Sequence, residues 1–165
     1  MASPPTSALC QTNVQLGNFE LLTRVAYNGG MTQEPNIYAL AGGDAPFQRL
    51  VDSFYARVER DPLLRPLFPA DLEPGKDRQF LFITQYFGGP ARYNQQRGHP
   101  RLRMRHAHFT IGQAERDAWI GHMLAAIDEA GFVEPARSAL REYFERAATF
   151  LINANANPNA VDLLG

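Results

Sequence analysis

A single cysteine, Cys10, stands in 165 residues. One thiol outside any patterned segment excludes a disulfide framework and a thiolate metal cluster. Neither sign of charge is in excess, with 16 basic residues against 17 acidic ones. The chain therefore has no generic attraction for nucleic acid or for a membrane surface, and any basic patch must be local. Apolar residues nowhere run for the roughly 20 positions that a spanning helix requires. The N-terminus lacks the basic start and apolar run of a secretory signal, so a cytoplasmic location is the expectation. No internal repeat and no flavin or nicotinamide fingerprint occurs. The length suits one domain with a real core or one enclosed prosthetic group.

What is present divides into three stretches. Residues 1–36 mix Ser, Thr, Pro, Asn and Gly with isolated apolar residues and no sustained period, which reads as a weakly ordered extension. Patterned sequence begins soon after Met31, so translation is expected to start at Met31; a native protein whose intact mass shows Met1 or Ala2 at its N-terminus would overturn that. Residues 37–152 form the patterned domain. Residues 153–165 are a polar tail, expected to fray from Asn153 onward.

Within the domain, Phe47, Leu50, Val51, Phe54, Tyr55 and Val58 recur at helical spacing behind Asp44, a candidate cap, and an early Pro46. A helical corner follows through Asp61-Pro62, Leu63, Leu64, Leu67 and Phe68, closed by Pro69. Residues 76–87 carry Phe80, Phe82, Ile83, Tyr86 and Phe87 around much of a helix, which predicts burial on more than one side before Gly88-Gly89-Pro90 stops it. Two later helices bear Trp119, Ile120, Met123, Leu124 and Ile127, then Leu140, Tyr143, Phe144, Ala147 and Leu151. The elements sum to an all-α domain.

The chemistry concentrates in residues 85–109, QYFGGPARYNQQRGHPRLRMRHAHF. Arg101, Arg103 and Arg105 alternate with Leu102, Met104 and His106 as in a strand, but Pro100 also suits a first helical turn, and Leu102, His106 and Phe109 share a face at offsets of four and seven. No second strand is evident to pair with it, so helix is the expectation. His106 in this apolar and basic setting reads as an axial ligand to haem iron: Leu102, Met104 and Phe109 would wall one face of a porphyrin and nearby arginines would meet its carboxylates. The competing reading is a surface histidine in a basic loop. With no Cys-x-x-Cys-His, any haem is non-covalent.

The order of motifs resembles the truncated haemoglobins, group II. The resemblance covers residues 38–151 and rests on Gly42-Gly43, Phe54-Tyr55, Asp61-Pro62-Leu63-Leu64 through Leu67-Phe68-Pro69, QYFGGPARY, RGHPRLRMRH and Asp117-Ala118-Trp119. It implies a globin-like two-over-two helical sandwich enclosing one haem b, with His106 as the proximal iron ligand. His108 is the nearest competitor, at a position where relatives often carry proline. His99 and His122 are expected to be surface or loop histidines. Tyr55, Gln79 and Trp119 match the three distal positions that donate hydrogen bonds to bound ligands, slowing oxygen release. Gly75 matches a distal gate and leaves entry open. Phe68 stands where some members carry tyrosine, Phe82 is expected over the distal haem face, and Arg78, Tyr93 and Arg105 are expected to contact the propionates.

The resemblance implies a haem protein that binds dioxygen, carbon monoxide and nitric oxide or peroxide, as a monomer or homodimer. Oxidation of nitric oxide or action on peroxide would require re-reduction by an unidentified reductase. An oxygen sensor or store without turnover is the alternative, and sensing is weakened by the lack of a fused signalling domain. A rival of another class treats residues 97–105 as a nucleic-acid or acidic-protein contact; it predicts affinity that falls steeply with salt, which haem binding does not.

Overall fold

The computed structural model describes residues 36–154. The expectations for the N-terminal extension, the start at Met31 and the tail beyond Ala154 lie outside that range. Among the described residues seven α-helices follow one another: α1 (Ile37–Leu40), α2 (Asp44–Val58), α3 (Glu73–Tyr86), α4 (Arg92–Arg97), α5 (Leu102–His106), α6 (Gln113–Ala130) and α7 (Ala136–Phe150), with a 3₁₀ turn at Arg65–Leu67. Among the described residues there is no strand, which settles the strand-or-helix ambiguity at α5.

Two pairs make the sandwich, α2 with α3 and α6 with α7, and α2 packs most extensively on α6. The apolar spacing of α2 explains why. Phe47, Leu50, Val51, Phe54 and Val58 fall on one stripe and are fully buried, and Met123 and Ile127 of α6 and Leu140 of α7 are equally buried. Each such side chain stabilises the fold by about 1.5–3 kcal/mol through the apolar surface removed from water. Phe47 adds ring contacts to Phe87 and Phe132 at 6.0 and 5.2 Å. The one buried polar side chain among the described residues, Thr84, satisfies itself by donating to the Phe80 carbonyl at 2.8 Å.

The Gly-Gly-Pro break is a packing requirement. Tyr38 N–H donates to the Phe87 carbonyl at 2.8 Å, bringing α1 against the end of α3. A β-carbon on Gly88, whose φ is +101°, would lie 2.8 Å from Asn36 Oδ1, and one on Gly89 would lie 2.8 Å from the Thr84 carbonyl. Only glycine lets the strands of chain pass here. The same knot corrects the role expected of Asp44. Gly43 occupies the cap position and Asp44 is the first helical residue. Its carboxylate accepts from Arg92 at 2.5 and 3.0 Å and from the Tyr38 hydroxyl at 2.9 Å, and the Arg92 hydrogen bonds hold it below the usual Asp range. A long-range tie has replaced a local cap.

Two further expectations are corrected. Helix α5 starts at Leu102, with Arg101 in the left-handed region at φ 44°; Pro100 therefore precedes the helix and does not sit in its first turn. Helix α3 is not buried on several sides: only Ile83 and Thr84 are, because Gln79 and Phe82 border a cavity.

At the corner after α2, Asp61 Oδ1 accepts from the Leu63 and Leu64 amides at 2.8 and 3.0 Å, and Oδ2 pairs with His122 Nε2 of α6 at 2.6 Å. His122 is thus a part-buried helical partner of Asp61, where the sequence suggested a surface or loop histidine, and it does not line the cavity. The His122 hydrogen bond, followed by those from the backbone, lowers the Asp61 pKa. A depressed carboxylate stabilises the fold above the ordinary Asp value of about 4 and loses that contribution as pH falls through its native pKa. Asp61→Asn should therefore be less stable than wild type in urea titrations at about pH 6, with the gap narrowing as pH falls below the ordinary Asp value. A gap independent of pH would show that the charge contributes nothing.

Candidate functional site

A cavity of about 590 Å³ lies within the helices, within the range of small-molecule and cofactor pockets. Tyr55, Phe68, Gly75, Arg78, Gln79, Phe82, Tyr93, Arg105, His106 and Trp119 all line it. The sequence therefore selected ten residues, scattered over five helices and a turn, that the fold brings to one place. Its wall is mostly apolar, and further lining comes from residues that sequence reasoning missed as site residues, including Leu64, Leu72, Arg97, Ile111 and Tyr143. Leu72, Arg97 and Ile111 lie in loops or at helix ends, where periodicity carries no signal.

His106 presents its imidazole in a defined state. Nδ1 lies 2.7 Å from the Leu102 carbonyl, one turn back. A carbonyl can only accept, so Nδ1 carries a proton and donates, and in the neutral ring the free lone pair is then the one on Nε2. That is the outer-shell bond that orients a metal-ligating histidine and raises its basicity. Arg105 Nε donates to the Pro100 carbonyl at 2.8 Å and closes the same turn. His108 also borders the cavity, its ring tilted against Phe109 with centroids 4.0 Å apart, without an orienting hydrogen bond among the described residues. His99 accepts from the Arg101 amide and does not reach the cavity. Of the three apolar residues expected to wall the pocket beside His106, Leu102 and Phe109 do; Met104 is 67% exposed. With a helix of one turn, the residue two positions before His106 points away from it.

Tyr55, Gln79 and Trp119 reach the cavity from α2, α3 and α6. None of their polar tips has a hydrogen-bond partner among the described residues. Tyr55 is held by edge contacts to Phe54 at 5.4 Å and Phe68 at 5.9 Å, and Trp119 by Phe54 at 5.1 Å and Phe144 at 5.8 Å. Burial, partly opposed by Arg78, pushes the Tyr55 phenol up to about 12. It stays a neutral donor at any physiological pH. Gly75 lies against that phenol: a β-carbon there would sit 2.7 Å from Tyr55 Oη. The missing side chain thus makes room for the hydroxyl, a role the sequence did not reveal.

Two helix pairs around an apolar cavity, entered by one oriented histidine and three unpaired polar tips, are the arrangement of a small globin. The comparisons agree: a bacterial-like globin profile matches residues 36–153, and the chain belongs to that family, among the group 2 truncated haemoglobins. The group 2 truncated haemoglobin of Bacillus subtilis is 41% identical over 123 residues, 74% of this chain and 93% of the relative. The crystal structure of a haemoglobin from the thermophilic phototrophic bacterium Chloroflexus aurantiacus is 65% identical with a TM-score of 0.71, covering 73% of this chain and 99% of that one. A truncated oxygen-avid haemoglobin from Bacillus subtilis, 40% identical, has a TM-score of 0.68 over 71% of this chain and 98% of its own. Membership implies haem-based binding of small gaseous ligands. Among the described residues no helix is long and apolar enough to cross a membrane.

Proposed function

We propose that this chain holds a non-covalent haem b through His106 and retains dioxygen and other diatomic ligands with hydrogen bonds from Tyr55, Gln79 and Trp119. The observation that carries the reading is the pairing, in one cavity, of an imidazole whose Nδ1 is committed to Leu102 with three polar tips that lack protein partners. Unsatisfied polar groups at a cavity wall are costly unless a ligand or water meets them, and these three suit an acceptor. When bound, haem would supply an iron that takes diatomic ligands and undergoes a reversible one-electron change.

The chain's own residues then divide the work. His106 binds, with a ring fixed by Leu102. Phe68 and Phe82 pack against the macrocycle, and Arg78, Tyr93 and Arg105 meet its carboxylates. The neutral donors favour a ligand that carries partial negative charge, which accords with the oxygen avidity of the Bacillus subtilis relative. Slow release fits oxygen delivery poorly. It suits a cytoplasmic monomer or homodimer that turns nitric oxide or peroxide over with a separate reductase.

The test is an absorption spectrum after haem reconstitution, taken as ferric, dithionite-reduced, and reduced with carbon monoxide. A Soret band that shifts on carbon monoxide is the expected result. Failure to take up stoichiometric haem would remove the reading at its centre.

Gly75→Ala should speed oxygen dissociation about fivefold by pushing the Tyr55 hydroxyl from its place, the equivalent of one neutral hydrogen bond. Haem uptake should be unaffected. Stopped-flow rates equal to wild type would mean that the hydroxyl does not act from where it stands.

A further inference from the structure

Helix α5 cannot hold itself. Its five residues, none of them buried, fall far below the length at which an isolated helix is stable. The segment from His106 to Ile111 continues as turn and loop, yet it carries the one oriented imidazole in the cavity. Something outside it must fix its backbone.

That support comes from Asn153, read from sequence as the start of a fraying tail. The structure corrects this. Asn153 Nδ2 donates to the His106 carbonyl at 3.3 Å and to the Phe109 carbonyl at 2.8 Å. Its Oδ1 accepts from the Ile111 amide at 2.9 Å, and its own N–H donates to the Ile111 carbonyl at 2.9 Å. The turn before it is fastened as well: Phe150 lies 5.3 Å beneath the Arg103 guanidinium, and Arg116 donates to Thr149 Oγ1 at 3.1 and 3.2 Å. A primary carboxamide is the group that fits, since it offers two donors for two carbonyls and an acceptor for one amide. Aspartate would set a charged oxygen against both carbonyls.

We propose that Asn153 is a positioning residue for the axial ligand. It clamps the backbone of residues 106–111 while Leu102 clamps the ring, so the direction of His106 Nε2 is fixed from both ends. The inference rests on the reading of His106 as that ligand.

The test uses the full chain reconstituted with haem, as wild type, Asn153→Ala, Asn153→Asp and His106→Gly. Three quantities are read: haem loss to excess apomyoglobin, the iron–histidine stretching band of the ferrous protein by resonance Raman, and amide exchange at Ile111 in the haem-free chain. Both Asn153 variants should lose haem roughly tenfold faster, at the low end of the usual cost of disturbing an outer-shell partner. They should also shift or broaden the iron–histidine band and expose the Ile111 amide. A merely stabilising role would lower the melting temperature and leave the band in place. If Asn153→Ala does not fold, Asn153→Gln, with both groups one carbon further out, carries the same readings. A normal wild-type band that vanishes in His106→Gly but is unmoved in the Asn153 variants would overturn the inference alone. A band that survives in His106→Gly, or a wild type that binds no haem, would overturn the axial reading and the inference with it.

Discussion

Replacing His106 by glycine should loosen haem by at least about 100-fold, measured as the rate of transfer to an excess of apomyoglobin. Disturbing an outer-shell partner of a metal ligand already costs about 10–100-fold in affinity, and this substitution removes the proposed ligand itself. The ferrous spectrum should lose the signature of an imidazole-ligated haem. Added imidazole should restore it, because the glycine leaves a space of the ring's shape beside the Leu102 carbonyl that Nδ1 now meets at 2.7 Å. The competitor is His108, which borders the same cavity. An unchanged ferrous spectrum in His106→Gly, together with a changed one in His108→Gly, would move the ligand by two residues. The orienting hydrogen bond is what favours His106.

Removing all three polar tips, in Tyr55→Phe, Gln79→Leu and Trp119→Phe combined, should speed oxygen dissociation by about two orders of magnitude. Each neutral hydrogen bond is worth about 1 kcal/mol net, roughly fivefold in a rate. The three side chains line one cavity and are proposed to act on one ligand, so their effects are not expected to add strictly; a shortfall from the product of the single variants measures how far they share the work. Haem uptake and carbon monoxide association should persist, since aromatic rings remain at positions 55 and 119 and keep their edge contacts to Phe54. The wild-type rate should also hold steady into alkaline solution, because Tyr55 keeps its proton up to about pH 12. Stopped-flow rates that match wild type in the triple variant would remove the proposed network.

The sequence made the long helices legible because their signal is local. Phe47, Leu50, Val51, Phe54 and Val58 announce α2 through a spacing that only a helix turns into a single stripe. The cavity residues were legible for another reason: the resemblance supplied roles that periodicity cannot assign, and the fold then gathered Tyr55, Gln79 and Trp119 from three helices. What escaped was long-range. Asp44 looks like a cap until Arg92, 48 residues away, claims its carboxylate. The left-handed Arg101, which sets the start of α5, leaves no trace in hydropathy. Asn153 reads as an ordinary polar tail residue, and its four hydrogen bonds to residues 106–111 exist only once α7 has brought the chain back.

The contact between Gly75 and Tyr55 binds two traits that would otherwise be free to vary. Any side chain at position 75 begins with a β-carbon 2.7 Å from the phenol oxygen. If ligands enter past position 75, as the resemblance implies, a lineage of this protein cannot narrow that entrance without also moving the group proposed to grip the ligand. How fast a ligand enters and how long it stays are then inherited together, and selection on either one at this position acts on both.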